Sequence, residues 1–129
     1  MPALVWMGVI FFLSAQSTLP DLPKEPAGLT LPPGKVAHVA VYAVLAALLV
    51  FGLAAGRKPG WRALLLAFVG ATLYGVTDEL HQSFVPFRTP AWTDVALDSA
   101  GAALGAAGIA LLALLARWWD RGRTRGRPA

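Results

Sequence analysis

Apolar residues do not alternate with polar ones along this chain; they run in blocks separated by proline-rich or basic breaks. In the block 36–56 no residue carries a formal charge apart from whatever fraction of His38 is protonated, and its length is enough to cross about 30 Å of hydrocarbon as a helix. A second block, 61–80, stays apolar from Ala63 to Thr77 and runs into a polar end at Asp78, Glu79 and Gln82. A third, 94–116, opens with Asp94 and Asp98 and then holds only Gly, Ala, Leu, Ile and Ser from Ser99 onward. The N-terminal block, 2–15, is shorter, because fourteen helical residues at about 1.5 Å each fall below a full span. Three readings of it are open: a signal peptide, a short tilted or interfacial helix, or a span whose true start lies upstream. The span is favoured, since neither a basic n-region nor a clear small-residue cleavage site is present.

The connections read as loops. Pro20, Pro23, Pro26, Pro32 and Pro33 break helices between Thr18 and Pro33; Arg57, Lys58, Pro59 and Gly60 make a tight basic turn; Pro86 and Pro90 interrupt the stretch from Ser83 to Thr93. The pattern predicts an all-α integral membrane bundle of about four transmembrane helices forming one domain over 1–129, with a basic tail at 117–129.

Composition agrees with this. Charged residues are 14% and hydrophobic residues 57%, against about 25% charged in a soluble domain, so a water-facing surface cannot be covered. The absence of cysteine excludes disulfides, thiolate metal sites and a cysteine nucleophile. The net charge of +4 does not imply nucleic acid, because five of the eleven basic residues lie in the last thirteen. There, with Trp118 and Trp119, they read as an anchor at an anionic leaflet. Eight basic residues (Arg57, Lys58, Arg62, Arg117, Arg121, Arg123, Arg125, Arg127) fall on one side and three (Lys24, Lys35, Arg88) on the other. With four spans the bias predicts a multi-pass protein of the cell membrane with both termini cytoplasmic.

Ionisable residues at the ends of spans are costly and are functional candidates by default. Lys35, His38 and Tyr42 fall within an arc of about 60° at the start of the second helix, and Asp78, Glu79, His81 and Gln82 end the third. Asp94 and Asp98 stand one turn apart at the start of the fourth. Because consecutive helices alternate direction, these groups converge at one membrane level, on the outer side. Asp94, Asp98, Gly101, Gly105 and Gly108 share an arc of about 80°, which is expected to face inward, with Gly101 and Gly105 as a GxxxG pair. Plainer roles stand beside these. Thr93 or Asp94 serves equally as a helix cap or first-turn acid, Tyr42 and His81 as interface side chains, and His38 as a structural hydrogen-bond partner of Tyr42. On the third helix Glu79 shares a sector with Gln82 and Gly75, and Asp78 with Tyr74 and His81. His38, Glu79, Asp94 and Asp98 have no dedicated metal-ligand spacing, so neither a metal nor another cofactor is expected.

FFLSAQS near the N-terminus, Lys35, His38 and Tyr42 opening a span, LYGVTDELHQSFVPFR, and then Asp94, Asp98 and Gly101 resemble the VanZ-like membrane proteins over nearly the whole chain. The resemblance assigns the family's polar signature to Lys35, His38, Tyr42, Glu79, Gln82, Arg88, Asp94 and Gly101. The chain departs from it at Gly34, where an Asp usually precedes the lysine, and at Asp98, where Asn is common. The family is named for an accessory protein of glycopeptide resistance linked to teicoplanin, and has been proposed to act on lipid or lipid-linked head groups.

The expected function is therefore action on a lipid or polyprenyl-linked phosphate head group at the outer face, as a hydrolase or transferase. His38, Glu79 and Asp94 are the catalytic candidates. Lys35, Tyr42, Asp78, Gln82, Arg88 and Asp98 are the substrate-binding ones, with Arg88 and Lys35 suited to phosphate oxygens. The alternative is an accessory protein that binds a lipid-linked ligand without turnover or limits antibiotic access. A small transporter subunit ranks last, since polar groups lie at only one end.

Overall fold

The computed structural model describes residues 2–15, 33–86 and 91–125. It has four helices: α1 (Pro2–Ser14), α2 (Pro33–Ala54), α3 (Trp61–Gln82) and α4 (Trp92–Arg125). Among the described residues there is no strand. Three helices are long and apolar enough to cross a membrane: Gly34–Ala54, Trp61–Gln82 and Trp92–Arg123. α1 is apolar but has 13 residues, about 20 Å at the helical rise, against about 30 Å of hydrocarbon. The favoured reading of 2–15 as a span therefore meets a helix short of that thickness.

Local chemistry accounts for the boundaries. Pro33 opens α2, where a missing N–H costs nothing because first-turn donors have no helical acceptor. α2 stops at Ala54, two residues before the expected end, because Ala55 (φ 48°) and Gly56 (φ 77°) take left-handed backbone and Arg57 N–H closes onto the Ala54 carbonyl at 2.9 Å. α3 continues to Gln82, past the expected end at 80. α4 starts two residues before 94 and runs through the basic tail to Arg125, so at least the first part of 117–129 is helical. At 34 residues α4 measures about 51 Å, and its last turns extend beyond the length of its partners.

The core combines a few large side chains, Ile10, Tyr42, Leu45 and Val50, with buried alanines, and many large apolar residues face outward. Ala46, Ala67, Ala71 and Ala102 are fully buried, whereas Leu4, Phe12, Phe51, Leu66 and Leu112 are exposed. That is the arrangement a lipid-facing bundle requires, since lipid tails solvate large apolar side chains and small ones let backbones approach. α2 and α4 lie closest. A Cβ at Gly101 would overlap the Val39 backbone, and one at Gly105 would overlap the Ala43 backbone. The two contacts advance together by four residues, so α2 and α4 run parallel, with α3 antiparallel between them in sequence. Gly108 is exposed and meets nothing within 4 Å, so the inward face expected from Asp94 to Gly108 turns after Gly105 to Ala106 and Ile109, which pack on Val50 and Ala67.

α1 is held by polar contacts along its length. Trp6 Nε1 donates to the Val41 carbonyl at 3.0 Å, Tyr74 Oη donates to the Met7 carbonyl at 2.6 Å, and Phe11 stacks on His81 with ring centroids 4.3 Å apart. His81 is thus partly buried against α1 rather than an exposed interface residue. These contacts bring the end of α1, the start of α2, the end of α3 and the start of α4 to one level. The basic turn after α2 and the C-terminal end of α4 lie at the other.

Candidate functional site

The polar residues gathered at that level form two small networks and a tether. In the first network, His38 Nδ1 lies 2.8 Å from Asp98 Oδ1. The histidine side chain is 24% exposed and the aspartate 1%, so a sealed carboxylate holds an imidazole that still reaches open space. An ionised Asp98 can only accept; Nδ1 then carries the proton and Nε2 is left as the ring's acceptor. The alternative role of His38 as hydrogen-bond partner of Tyr42 is not what forms; its partner is Asp98. Tyr42 itself is buried, not an interface aromatic, and its Oη has no hydrogen-bond partner. Asp98 Oδ2 is also buried without one.

The second network joins α1 to α3. Ser14 Oγ is 2.5 Å from Asp78 Oδ1, and Gln82 Nε2 donates to Asp78 Oδ2 at 2.9 Å. Ser14 Oγ also lies 3.1 Å from the Phe11 carbonyl. It has one proton to give, and the shorter contact to a carboxylate is the stronger acceptor. Gln82 thus bonds to Asp78, one turn away on the same helix.

The tether is made by Glu79, whose Oε2 accepts the Ala91 N–H at 2.9 Å. Ala91 precedes Trp92, the first residue of α4, so a carboxylate on α3 satisfies a donor at the start of the next helix. Neither Thr93 nor Asp94 occupies the capping position; both lie inside the first turn. Asp94 keeps the helix-dipole role, and Thr93 Oγ1 is 3.4 Å from its Oδ1. Glu79 Oε1 is buried without a partner.

These groups do not share one cavity. His38, Tyr42, Ser14, Asp78 and Gln82 line a space of about 180 Å³ between α1, α2 and α3, with Ile10, Leu13 and Val41 on its apolar side. Glu79 lines a separate groove of about 240 Å³ between α3 and α4, with Leu80, Trp92 and Val95. His38 and Glu79 thus face different spaces, and Asp94 lines neither. Lys35, one turn before His38 in α2, is exposed. Arg88 lies outside the described residues. Among the described residues no three His, Asp or Glu side chains are grouped to hold one metal ion.

Two contributors were not singled out as site residues in the sequence. Ser14 is the one polar residue of α1 and stands in the FFLSAQS stretch; its signal was a lone hydroxyl ending an apolar run. Gly75, on the Glu79 sector of α3, carries no side chain and so no chemical signal in the sequence. A Cβ there would lie 3.1 Å from Asp98 Oδ2 and 3.4 Å from Tyr42 Cε1, so its lack of a side chain makes room for both.

No curated protein and no solved structure matches the chain. The family model described as VanZ/LLP1 matches residues 1–115, a range that takes in all four helix starts and every polar residue of both networks. With its membrane-span helices and this match, the chain belongs to the VanZ/LLP1 family.

Proposed function

We propose that this membrane protein acts on the phosphate-bearing head group of a lipid or lipid-linked precursor, at the outer face of the cell membrane, in envelope metabolism or glycopeptide resistance. The observation that carries the reading is the 2.8 Å His38–Asp98 pair, in which a buried carboxylate orients a partly exposed imidazole at the edge of a mainly apolar cavity that holds a few polar side chains. That is the arrangement of a positioned general base and acid. In the reaction, His38 Nε2 takes the proton of an attacking water or hydroxyl as its oxygen bonds to phosphorus. The bond from phosphorus to the departing oxygen breaks, and the same proton passes to that oxygen. Lys35 and Arg88 supply positive charge for the phosphate, and Asp78, Gln82 and Tyr42 contact the group held in the cavity. The outer placement is supported by the excess of basic residues in the turn after α2 and at the end of α4, opposite the polar level, by the positive-inside tendency.

The test is to purify the full chain in lipid nanodiscs, offer polyprenyl-linked and glycerol-based phosphates, and follow head-group release or exchange. Release by the wild type that is lost in His38→Ala supports the reading; wild type and variant indistinguishable overturns it.

A second reading, ligand retention without turnover, is favoured by one observation: Asp78 and Glu79 are already engaged in structural hydrogen bonds. It predicts that Arg88→Ala loses binding of a lipid phosphate that the wild type holds but never converts.

A further inference from the structure

Most of the wall of the cavity between α1, α2 and α3 is hydrocarbon. Ile10 and Leu13 of α1 and Ala37 and Val41 of α2 line it. Tyr42 adds only its ring, because its Oη is buried out of contact with solvent. The polar part of the wall is occupied with itself: Asp78 accepts Ser14 Oγ on one oxygen and Gln82 Nε2 on the other. A ligand that competes for either oxygen breaks a bond that holds the wall together. His38 is different. Its Nδ1 is on Asp98, its side chain is 24% exposed, and it lines the same space. When neutral it offers Nε2 as an acceptor, and when protonated it donates from Nε2 and carries positive charge.

Such a wall suits a ligand that brings one phosphate to an imidazole and hydrocarbon immediately beside it. Two classes of lipid phosphate differ at this point. In a prenyl phosphate the hydrocarbon begins at the phosphate oxygen, whereas in a glycerophospholipid two ester carbonyls stand between the phosphate and the chains. Carbonyls drawn into this cavity would leave water for a wall whose Ser14 and Gln82 donors are turned to Asp78. A polar group buried without a partner is costly. Size points the same way. A space of about 180 Å³, at about 30 Å³ for a water molecule, takes a branched segment the size of one isoprene unit; a glycerol bearing two esters has more heavy atoms than that.

We infer that the cavity receives the first hydrocarbon unit of a prenyl-type phosphate, with the phosphate at the cavity edge against His38, an assignment that rests on the reading above that a lipid phosphate is the ligand. The substrate class is then a lipid whose hydrocarbon starts at the phosphate oxygen. Glycerol-based phospholipids, which that reading equally admits, are disfavoured by the same wall.

The experiment measures binding, not turnover. The full chain in detergent micelles is titrated with two phosphomonoesters of similar hydrocarbon content, farnesyl phosphate and dioctanoyl phosphatidic acid. Farnesyl phosphate should bind about tenfold more tightly or better, the ratio expected when the competitor buries one unpaired carbonyl. Leu13→Gln replaces part of the apolar wall with an amide donor at a position 46% exposed, and Ala37→Phe fills the space from an exposed position of α2. Each should narrow the ratio to about threefold or less, and Ala37→Phe stands alone where Leu13→Gln does not fold. Equal binding of the two lipids by the wild type, tighter binding of phosphatidic acid, or an unchanged ratio in either folded variant would overturn the inference. A farnesyl preference without release from any lipid would sink the enzyme reading and leave this one standing, and release from a glycerol-based lipid with no binding preference would do the reverse.

Discussion

Gly75 of α3 and Asp98 of α4 share a space that only one of them can fill. A Cβ at residue 75 would stand 3.1 Å from Asp98 Oδ2 and 3.2 Å from Asp98 Cβ. The glycine is therefore the notch into which the aspartate folds, and it fixes the oxygen that His38 meets on the other side. A backbone feature of one helix thus sets the position of a carboxylate on a second, which orients an imidazole on a third.

Gly75→Ala should consequently damage the site more than the fold. The added methyl gains up to about 1 kcal/mol of helix propensity and costs about 1–3 kcal/mol in overpacking. The net change in stability stays within about 3 kcal/mol, while the Asp98 carboxylate is displaced from His38. Thermal unfolding in detergent together with head-group release separates the two effects, and a variant with full activity would remove the notch from the mechanism.

The contact between α2 and α4 gives the opposite expectation. Gly101→Ala and Gly105→Ala each drive a methyl into the backbone at Val39 or Ala43, and backbone cannot step aside as a side-chain tip can. Each should destabilise by about 3 kcal/mol or more, beyond the usual overpacking range because two helices must separate. Gly108→Ala, which meets open space, is the control and should melt at or above the wild-type temperature.

Asp98→Asn tests the orientation of His38. The amide keeps the size of the carboxylate but no longer stabilises an imidazolium, so turnover should fall by about 10²-fold or more with little change in ligand binding. Kinetics on the lipid phosphate that serves as substrate, with the dissociation constant measured separately, provide the check. A parallel loss of binding and turnover would point to collapse of the cavity instead.

Glu79 can be divided between tether and chemistry by two substitutions. Glutamine retains an oxygen able to accept the Ala91 N–H, so Glu79→Gln should unfold within about 0.5 kcal/mol of wild type, whereas Glu79→Ala leaves that donor unanswered and should lose about 1–2 kcal/mol. Unfolding measurements on the pair decide this. Equal stability of both variants would show that the hydrogen bond contributes nothing to holding the start of α4.

Ser14→Ala removes the hydroxyl that meets Asp78 Oδ1 at 2.5 Å in a buried setting. The carboxylate keeps Gln82 but loses a charge-assisted bond, which should cost about 1.5–3 kcal/mol. Because this bond joins α1 to α3, hydrogen exchange along 2–14 should rise in the variant. Unchanged exchange there would assign the docking of α1 to Trp6, Tyr74 and Phe11 alone.

Sequence by itself determined that the chain is a set of apolar helices, where each breaks, and that His38, Asp78, Glu79 and Asp98 gather at one level. Uncharged runs long enough to cross hydrocarbon, proline in the breaks and the alternation of helix direction suffice for that. It also pointed to Gly101 and Gly105 as a close approach, since small residues four apart leave a groove. What only the tertiary structure decided is who meets whom: His38 with Asp98 and not Tyr42, Gln82 with Asp78, Glu79 with the Ala91 N–H, and His38 and Glu79 on different cavities. The reason is geometric. Periodicity gives each residue an angle about its own helix axis, but the rotation and height of one helix against the next are set by packing, here by two glycines seated on the backbone of α2 and a third that admits Asp98. Shifts of a single residue in that register would exchange the partners while leaving every helical pattern in the sequence unchanged.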